Sequence, residues 1–246
     1  MRLTRVFVSP AVARLAGGAD IALPPGAGEH VARVLRLRVG DALTLFDGRG
    51  GEWSAQITAI AHSKVRARCL VHQDIERESP LAVTLLQSLA RGEKMDWVVQ
   101  KATELGVQRI QPVSAERSVV QIDDERAVRR LEHWQAVAAG ACEQCGRNRL
   151  PRVDAPLGFA QACLVDPAAT RLVLDADAGI SLCSAVPGAT AVVLLIGPEG
   201  GLTDAELALT QSRGFVPVRF GPRILRTETA AVAAIAALQV IAGDYS

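Results

Sequence analysis

The chain has 246 residues, of which 49% are hydrophobic, and its formal net charge is +1. This length and apolar content are enough to bury one large core or two modest ones. No run approaches the ~20 apolar residues that span a bilayer, and the N-terminus lacks the continuous apolar segment of a signal peptide, so we expect a cytoplasmic protein with no membrane partner.

Basic residues are concentrated near the N-terminus. Residues 1–72 carry 10 Lys and Arg against 5 Asp and Glu, a net charge of +5, whereas residues 73–246 carry 17 against 21, a net charge of −4. The N-terminal part is therefore the expected surface for a polyanion. The alternative is an ordinary solvated basic face.

The first part of the chain, residues 1–72, is predicted to be a small β-barrel domain. Strand-like segments lie at 5–8 and 39–71, and the glycines of 47–51 predict a hairpin turn. A helix predicted over 28–37 places Arg33 and Arg36 three residues apart on one face. The polar segment 73–80, QDIERESP, is the predicted linker.

From residue 81 to residue 246, strands alternate with helices, which predicts an α/β domain with a mostly parallel sheet. The predicted helices cover 93–105, about 126–145, and a last Ala-rich stretch from Thr227 or Thr229 to about Ile241. The last helix is apolar almost all round, which favours burial on several sides. The predicted strands lie at 83–90, 109–114, 171–175, 191–196 and 216–220.

The five cysteines are an odd number without a framework, as expected for reduced thiols. Cys142 and Cys145 form the one CxxC pair. Zinc needs about four ligands, and no second CxxC or HxxxH accompanies this pair. Structural thiols are therefore favoured over a metal site, and we expect no metal.

Two glycine-bearing loops follow buried strands near the C-terminus. The first is LLIGPEGGLTDAE at 194–206, in which Thr203 and Glu206 form a predicted capping box. The second is FGPRILRTETAAVAA at 220–234. Open α/β sheets bind ligands where strands end and helices begin, so two such loops could close on one small molecule. The alternative is a pair of ordinary turns, and no dinucleotide or P-loop motif is present.

These loops, together with GEKMDWVVQKATELGV at 92–107 and CEQCGR at 142–147, resemble the RsmE family of SPOUT-class RNA methyltransferases. The resemblance extends to RVFV at 5–8 and HVARVLRLRVGDALTLFDG at 30–48, which are similar to that family's PUA-like RNA-binding domain. It implies S-adenosylmethionine-dependent methylation of N3 of a uridine in 16S rRNA of the bacterial 30S subunit. It also implies a C-terminal trefoil knot that forms the cofactor pocket, and a homodimer.

The residue patterns described above and the resemblance together give a set of candidate site residues. The candidates for binding S-adenosylmethionine are Leu174, Leu195, Ile196, Gly197, Gly200, Gly201, Gly221, Ile224, Leu225 and Arg226. The candidates for binding RNA are Arg5, Arg33, Arg36, Lys94, Lys101, Arg147 and Arg223. The candidates for catalysis are Arg226, Glu228 and Glu199.

Arg226 is the expected cation for charge that develops on the uracil oxygens. Glu199 or Glu228 could accept the N3 proton. Alternatively Glu199 braces its loop and Glu228 favours the helix dipole. Two functional alternatives remain at this point: methylation of another base or of a 2′-hydroxyl, and a noncatalytic RNA-binding assembly factor.

Overall fold

The computed structural model describes residues 4–118 and 124–245, with the backbone alone at 124–126. The chain divides into two compact units, Met1–Glu78 with Ala139–Leu150, and Ser79–Ala138 with Pro151–Ser246. No helix within the described ranges is long and apolar enough to cross a membrane. The sequence-based domain limits at 1–72, 73–80 and 81–246 remain a prediction.

The first unit contains a five-stranded sheet in the order β1-β3-β4-β5-β2. The pair β1 and β3 is parallel and the other neighbours are antiparallel. The predicted hairpin at 47–51 is confirmed, because it joins β3 to β4 with Leu45 opposite Trp53. The strands are β1 (Arg5–Phe7), β2 (Asp20–Ala22), β3 (Ala42–Phe46), β4 (Glu52–Ala61) and β5 (Lys64–Gln73).

The helix predicted over 28–37 is wrong in its limits. The structure has a short helix α1 (Pro25–Glu29) followed by a π-helical turn (His30–Val34). Gly28 packs closely against the segment around Ser63, since an added Cβ at position 28 would lie 2.5 Å from the Ser63 carbonyl oxygen. Arg36 lies beyond the turn with a φ of 53°, so it does not share a helix face with Arg33.

The second unit contains an eight-stranded sheet whose main order is β11-β13-β10-β12-β6-β7-β8, with β9 also paired to β7. Every pairing in it is parallel, which confirms the predicted architecture. The strands are β6 (Ala82–Ser88), β7 (Arg109–Ser114), β8 (Arg152–Val153), β9 (Leu157–Gly158), β10 (Thr170–Leu174), β11 (Ile180–Ser181), β12 (Ala191–Ile196) and β13 (Val216–Arg219).

Helices cover both faces of this sheet. Apolar side chains of α2 and α7 join those of β6 and β12 in one core cluster. The opposite face of the sheet holds a second cluster that includes Val173 and Leu195. The helices are α2 (Lys94–Glu104), α3 (Asp124–Cys145), α4 (Phe159–Ala162), α5 (Leu182–Ala185), α6 (Asp204–Ser212) and α7 (Thr227–Ala242).

The last helix, α7, buries one side against this core through Ala231, Ala234, Ile235 and Leu238. Gln239, the polar interruption in its apolar sequence, is fully buried. Its amide nitrogen donates to the Leu105 carbonyl at 2.8 Å, and its oxygen accepts from the Ser79 hydroxyl at 2.6 Å. The glutamine therefore fixes the C-terminal part of α7 by hydrogen bonds.

The two cysteines of the CxxC pair lie in the last turn of α3, which ends before Gly146 as predicted. The pKa of the Cys142 thiol is raised, mainly by the hydrogen bond with Cys145 and to a smaller extent by burial. None of the five cysteines forms a disulfide bond. Within the described ranges, no cluster of three or more His, Cys, Asp or Glu side chains is arranged to hold a metal ion.

Candidate active site

Three adjacent parallel strands of the second unit, β13, β10 and β12, end at the same edge of the sheet. The segments that follow them surround a cavity of about 550 Å³. This volume is within the ~300–1,000 Å³ typical of small-molecule sites. The lining residues from the three strand ends include Leu174, Asp175, Asp177, Ile196, Gly197, Glu199, Gly201, Phe220, Gly221, Arg223, Ile224, Leu225, Arg226 and Thr227.

Eight of the ten predicted cofactor residues line this cavity, and Leu195 and Gly200 do not. Side chains alternate between the faces of a strand, so Leu195 points away from its neighbour Ile196 and is buried in the second core cluster. Gly200 lies against Arg117, whose guanidinium donates to the Gly200 carbonyl at 3.1 Å. The assignment of Leu195 and Gly200 to cofactor binding stays a prediction.

Two of the cavity glycines have backbone angles that favour glycine. Gly201 has a φ of +71° and Gly221 a φ of +75°, and an added Cβ would have no atom within 4 Å at either position. A side chain there would strain the backbone and project into open space. At Gly197 the added Cβ would instead meet Leu202 at 3.2 Å.

The first cavity loop, residues 197–203, is anchored at several points. The predicted capping box is confirmed, since the Thr203 hydroxyl accepts from the Glu206 amide and the Glu206 carboxylate accepts from the Thr203 amide. The other carboxylate oxygen of Glu206 accepts from the Glu116 amide at 2.8 Å. This loop is therefore fixed both to its own helix α6 and to the segment after β7.

The second cavity loop, residues 221–226, is open to solvent. Ile224 is 90% exposed. Arg226 is the N-cap residue of α7 but makes no side-chain capping bond. Among the described residues, its guanidinium has no ion-pair partner. A cation thus stands free at the edge of the cavity.

Lys94, on α2, lies between two carboxylates beside the cavity. Its ammonium is 2.9 Å from Glu199 and 3.5 Å from Glu228. Partial burial acts to raise the pKa of Glu199, but the hydrogen bond from Lys94, a backbone hydrogen bond and the charges of Lys94 and Arg91 together hold that pKa below its usual range. The pKa of Lys94 is raised mainly by the same bond. Glu228 lies beside the cavity without lining it, and its buried Oε2, which accepts no hydrogen bond from the described residues, is the atom that faces the Lys94 ammonium.

Several predicted RNA-binding side chains are occupied by protein contacts. Arg5 pairs with Glu52 and donates to Asn148, with its guanidinium over the Phe46 ring. Arg147 is 4% exposed and pairs with Glu78. We therefore leave Arg5 and Arg147 out of the proposed RNA surface, because their charged groups hold the first unit together.

The two predicted lysines are also engaged, Lys94 with the carboxylates above and Lys101 with Glu104 on its own helix. Arg33, Arg36 and Arg223 are exposed. Arg33 makes a solvent-exposed pair with Glu29, and Arg223 lies on the cavity rim. These three arginines can reach a polyanion.

Two residues that shape the site are not recognised from the sequence. Thr227 is predicted only as a possible helix start, and Gln87 is not predicted as a site residue. The Thr227 hydroxyl donates to the Gly197 carbonyl at 2.7 Å and accepts from the Gln87 amide nitrogen at 2.9 Å. The only sequence signal for Gln87 is a polar residue near the end of an apolar strand that should be buried on both faces. A buried polar group requires a hydrogen-bond partner, so a glutamine at this position indicates a hydrogen bond within the core.

Comparison with known proteins agrees with this arrangement. Residues 77–239 match the model of an RNA methyltransferase domain, and residues 23–68 match that of an RNA methyltransferase PUA domain. The ribosomal RNA small subunit methyltransferase E of Bacillus subtilis is 32% identical to this chain, over 87% of the chain and 89% of the relative.

Two solved structures are similar over the full length. The ribosomal RNA small subunit methyltransferase E of Neisseria gonorrhoeae, bound to S-adenosylmethionine, is 38% identical with a TM-score of 0.90 and 100% coverage of both chains. A protein from Legionella pneumophila, in complex with the same cofactor, is 39% identical with a TM-score of 0.92, over 99% of this chain and 100% of that chain.

The parallel sheet with a cavity at its carboxyl edge and the matched domain models define an RNA methyltransferase. More narrowly, the chain belongs to the ribosomal RNA small subunit methyltransferase E family.

Proposed function

We propose that the protein transfers a methyl group from S-adenosylmethionine to N3 of a uridine in 16S rRNA, with the cofactor in the cavity between the two glycine loops. The observation that carries this proposal is the free Arg226 at the edge of a cofactor-sized cavity, in a chain of this family. A member of the family from Neisseria and a similar protein from Legionella hold the same cofactor.

The residues around the cavity suit this cofactor. Leu174, Ile224 and Leu225 provide apolar surface for an adenine ring, and the backbone groups of the glycine loops are near enough to read its polar edge. Asp175, Asp177 and Glu199 give the lining an acidic side that suits the cationic sulfonium and ammonium groups. The trefoil knot that the family resemblance implies belongs to this proposal as well.

The cofactor supplies an electrophilic methyl group, and the protein supplies position and charge. Transfer forms a bond between uracil N3 and the methyl carbon while the carbon–sulfur bond breaks, and the N3 proton must leave. We assign Arg226 to stabilise negative charge on the uracil oxygens. The other described cation that lines the cavity, Arg223, lies earlier in the same loop, and we assign it to RNA binding.

Of the two candidate carboxylates, we propose Glu228 as the proton acceptor and Glu199 as the brace of the first loop. The hydrogen bond from Lys94 lowers the pKa of Glu199, which makes its carboxylate a weaker base. The Glu228 Oε2 accepts no hydrogen bond from the described residues and is 3.5 Å from the Lys94 ammonium, a looser pairing than the 2.9 Å contact at Glu199. We assign the substrate proton to Glu228 because it is the less tightly paired of the two carboxylates.

We assign RNA binding to the basic first unit, chiefly to Arg33 and Arg36, with Arg223 at the cavity rim. The exposed Val34, Leu35 and Val39 lie in the same segment. Arginines separated by exposed aliphatic side chains can contact both phosphates and bases. The substrate is then an rRNA or a 30S particle, and the cytoplasmic location remains a prediction.

We also propose that the protein is a homodimer. The helix α7 packs one side on its own core, yet Val240 is 55% exposed, and Trp97 on the neighbouring α2 is 41% exposed. A second copy would cover this apolar surface. The chain mass is 26.0 kDa, so a solution mass of one chain at micromolar concentration, in protein that still methylates RNA, would contradict the dimer.

The direct test is to incubate the protein with methyl-labelled S-adenosylmethionine and either 30S particles or naked 16S rRNA, then digest the RNA and identify the labelled nucleoside. N3-methyluridine is the expected product. Label on another base or on a 2′-hydroxyl would favour a related methyltransferase. RNA binding without label transfer would favour a noncatalytic assembly factor. Either of the last two results contradicts the proposal.

A further inference from the structure

One hydroxyl group joins the two loops of the cavity. Thr227 is the first residue of α7, and its Oγ1 donates to the carbonyl oxygen of Gly197, the first residue after β12, at 2.7 Å. Thr227 is 4% exposed. The N-cap position belongs to Arg226, so the threonine hydroxyl does not cap its helix and is committed to the other loop.

Gln87 fixes the direction of this hydrogen bond. Its amide nitrogen donates to the Thr227 hydroxyl at 2.9 Å and to the Ser88 carbonyl at 3.0 Å. A backbone carbonyl can only accept a hydrogen bond, so the atom of the Gln87 amide that contacts the Ser88 carbonyl must be the nitrogen and not the oxygen. The threonine oxygen therefore accepts from Gln87, and its single proton goes to Gly197. Gln87 is fully buried and lies opposite Ile196 in the pairing of β6 with β12.

The second loop depends on this contact more than the first does. Residues 221–224 and 226 are exposed, and the backbone hydrogen bonds described for the loop include only the helical bond from Ala230 to Arg226. After this exposed stretch, the hydrogen bonds of Thr227 to Gly197 and Gln87 connect the chain to the ends of β12 and β6. Both Gly197 and Thr227 line the cavity.

We propose that Thr227 is a positioning residue that sets the separation of the two loops and thereby the affinity for S-adenosylmethionine. The proposal rests on the proposed function, since it takes that cofactor as the ligand. The hydroxyl acts through the Gly197 carbonyl and the orientation of the loop before α7. It takes no part in the chemical step.

The test compares three variants. Thr227→Val keeps the size and removes the hydroxyl, Thr227→Ser keeps the hydroxyl, and Thr229→Val changes an exposed threonine two residues further on. Loss of this buried hydrogen bond predicts about tenfold weaker cofactor binding in Thr227→Val, which corresponds to ~1.4 kcal/mol. Thr227→Ser should stay within about twofold of wild type, and Thr229→Val should match it.

Calorimetric titration with S-adenosylmethionine gives the affinities. Steady-state methylation of 16S rRNA separates the effect on KM for the cofactor from the effect on kcat. In Thr227→Val, KM for the cofactor should rise about tenfold while kcat changes by less than about threefold. If valine prevents folding, as judged by circular dichroism, Thr227→Ala takes its place beside Thr227→Ser.

Wild-type affinity in the valine or alanine variant would overturn the proposal, as would equal defects in the serine and valine variants. Those results leave the proposed function intact, because wild type still binds the cofactor. Failure of wild type to bind S-adenosylmethionine would overturn both.

Discussion

The two loops that form the cavity are held in opposite ways. The loop at 197–203 is tied by a capping box, by Glu206 to the Glu116 amide, and by Arg117 to the Gly200 carbonyl. The loop at 221–226 is exposed over most of its length. A loop fixed at many points keeps its backbone groups in place before a ligand arrives. The exposed loop instead carries the charged side chain that we assign to the chemistry.

We expect this difference to separate the side chain that acts in catalysis from the backbone and apolar groups of both loops that bind the cofactor. The first loop should contribute mainly to affinity for the cofactor, and Arg226 in the second should contribute mainly to the rate of transfer. Arg226 and Glu228 give the largest expected effects on the rate of transfer, and smaller effects are expected on RNA binding and on stability.

Arg226→Ala should lower kcat for methyl transfer by about a thousandfold, because removal of one donor to developing charge costs ~10²–10³ in rate. Affinity for S-adenosylmethionine should change little. Arg219→Ala is the matched control, since Arg219 ends the preceding strand and is exposed away from the cavity lining. If kcat for Arg226→Ala equalled kcat for Arg219→Ala, Arg226 would have no special role in methyl transfer.

Glu228→Gln should lower kcat by about a hundredfold near neutral pH, the low end for loss of a general base. Glu199→Gln should have a smaller effect on kcat. The defect in Glu228→Gln should shrink as pH rises and the uracil imide loses its own proton. A pH–rate profile parallel to that of wild type would exclude Glu228 as the proton acceptor.

Arg33→Ala with Arg36→Ala should weaken rRNA binding and reduce its salt dependence by about one unit of slope for each phosphate that is no longer neutralised. Cofactor affinity should stay at the wild-type value, since neither residue lines the cavity. Arg5 and Arg147 make unsuitable controls because both are buried in ion pairs. Unchanged RNA affinity and slope would show that the basic surface is only solvated.

Lys94→Met should lower Tm at pH 7 by removing the shared partner of Glu199 and Glu228, of which Glu199 is the closer. The folded-state pKa of Glu199 lies below its ordinary value of 4.5, so the stabilisation is present above pH 4.5 and is lost as pH falls through the lowered value. The Tm difference from wild type should therefore vanish in acid. Lys101→Met, on the same helix, is the control, and its Tm difference should not depend on Glu199. A difference for Lys94→Met that persists below that range would contradict the assignment.

The sequence predicts the framework of the second unit well. The strands at 109–114 and 191–196 and the capping box at Thr203 are observed as predicted, because apolar runs and cap residues are local signals. The short strands β8, β9 and β11 were not predicted, since two residues carry no periodicity.

The features that the sequence did not predict depend on distant partners. Arg36 leaves the predicted helix because the π-helical turn and the packing of Gly28 on Ser63 are set by tertiary structure. The burial of Arg5 and Arg147 depends on carboxylates far away in the chain. The link from Thr227 to Gly197 and Gln87 joins three separate segments, which no local pattern reports.

The central claim is that S-adenosylmethionine binds between the two glycine loops, and calorimetric titration of Gly221→Val tests it most directly. Gly214→Val is the matched control, because Gly214 has a φ of +81° against +75° at Gly221, both Cβ positions are open, and Gly214 does not line the cavity. The two variants should lose similar stability and keep the fold by circular dichroism. We expect Gly221→Val to lose cofactor binding and Gly214→Val to retain it. Wild-type affinity in a folded Gly221→Val protein would contradict the claim.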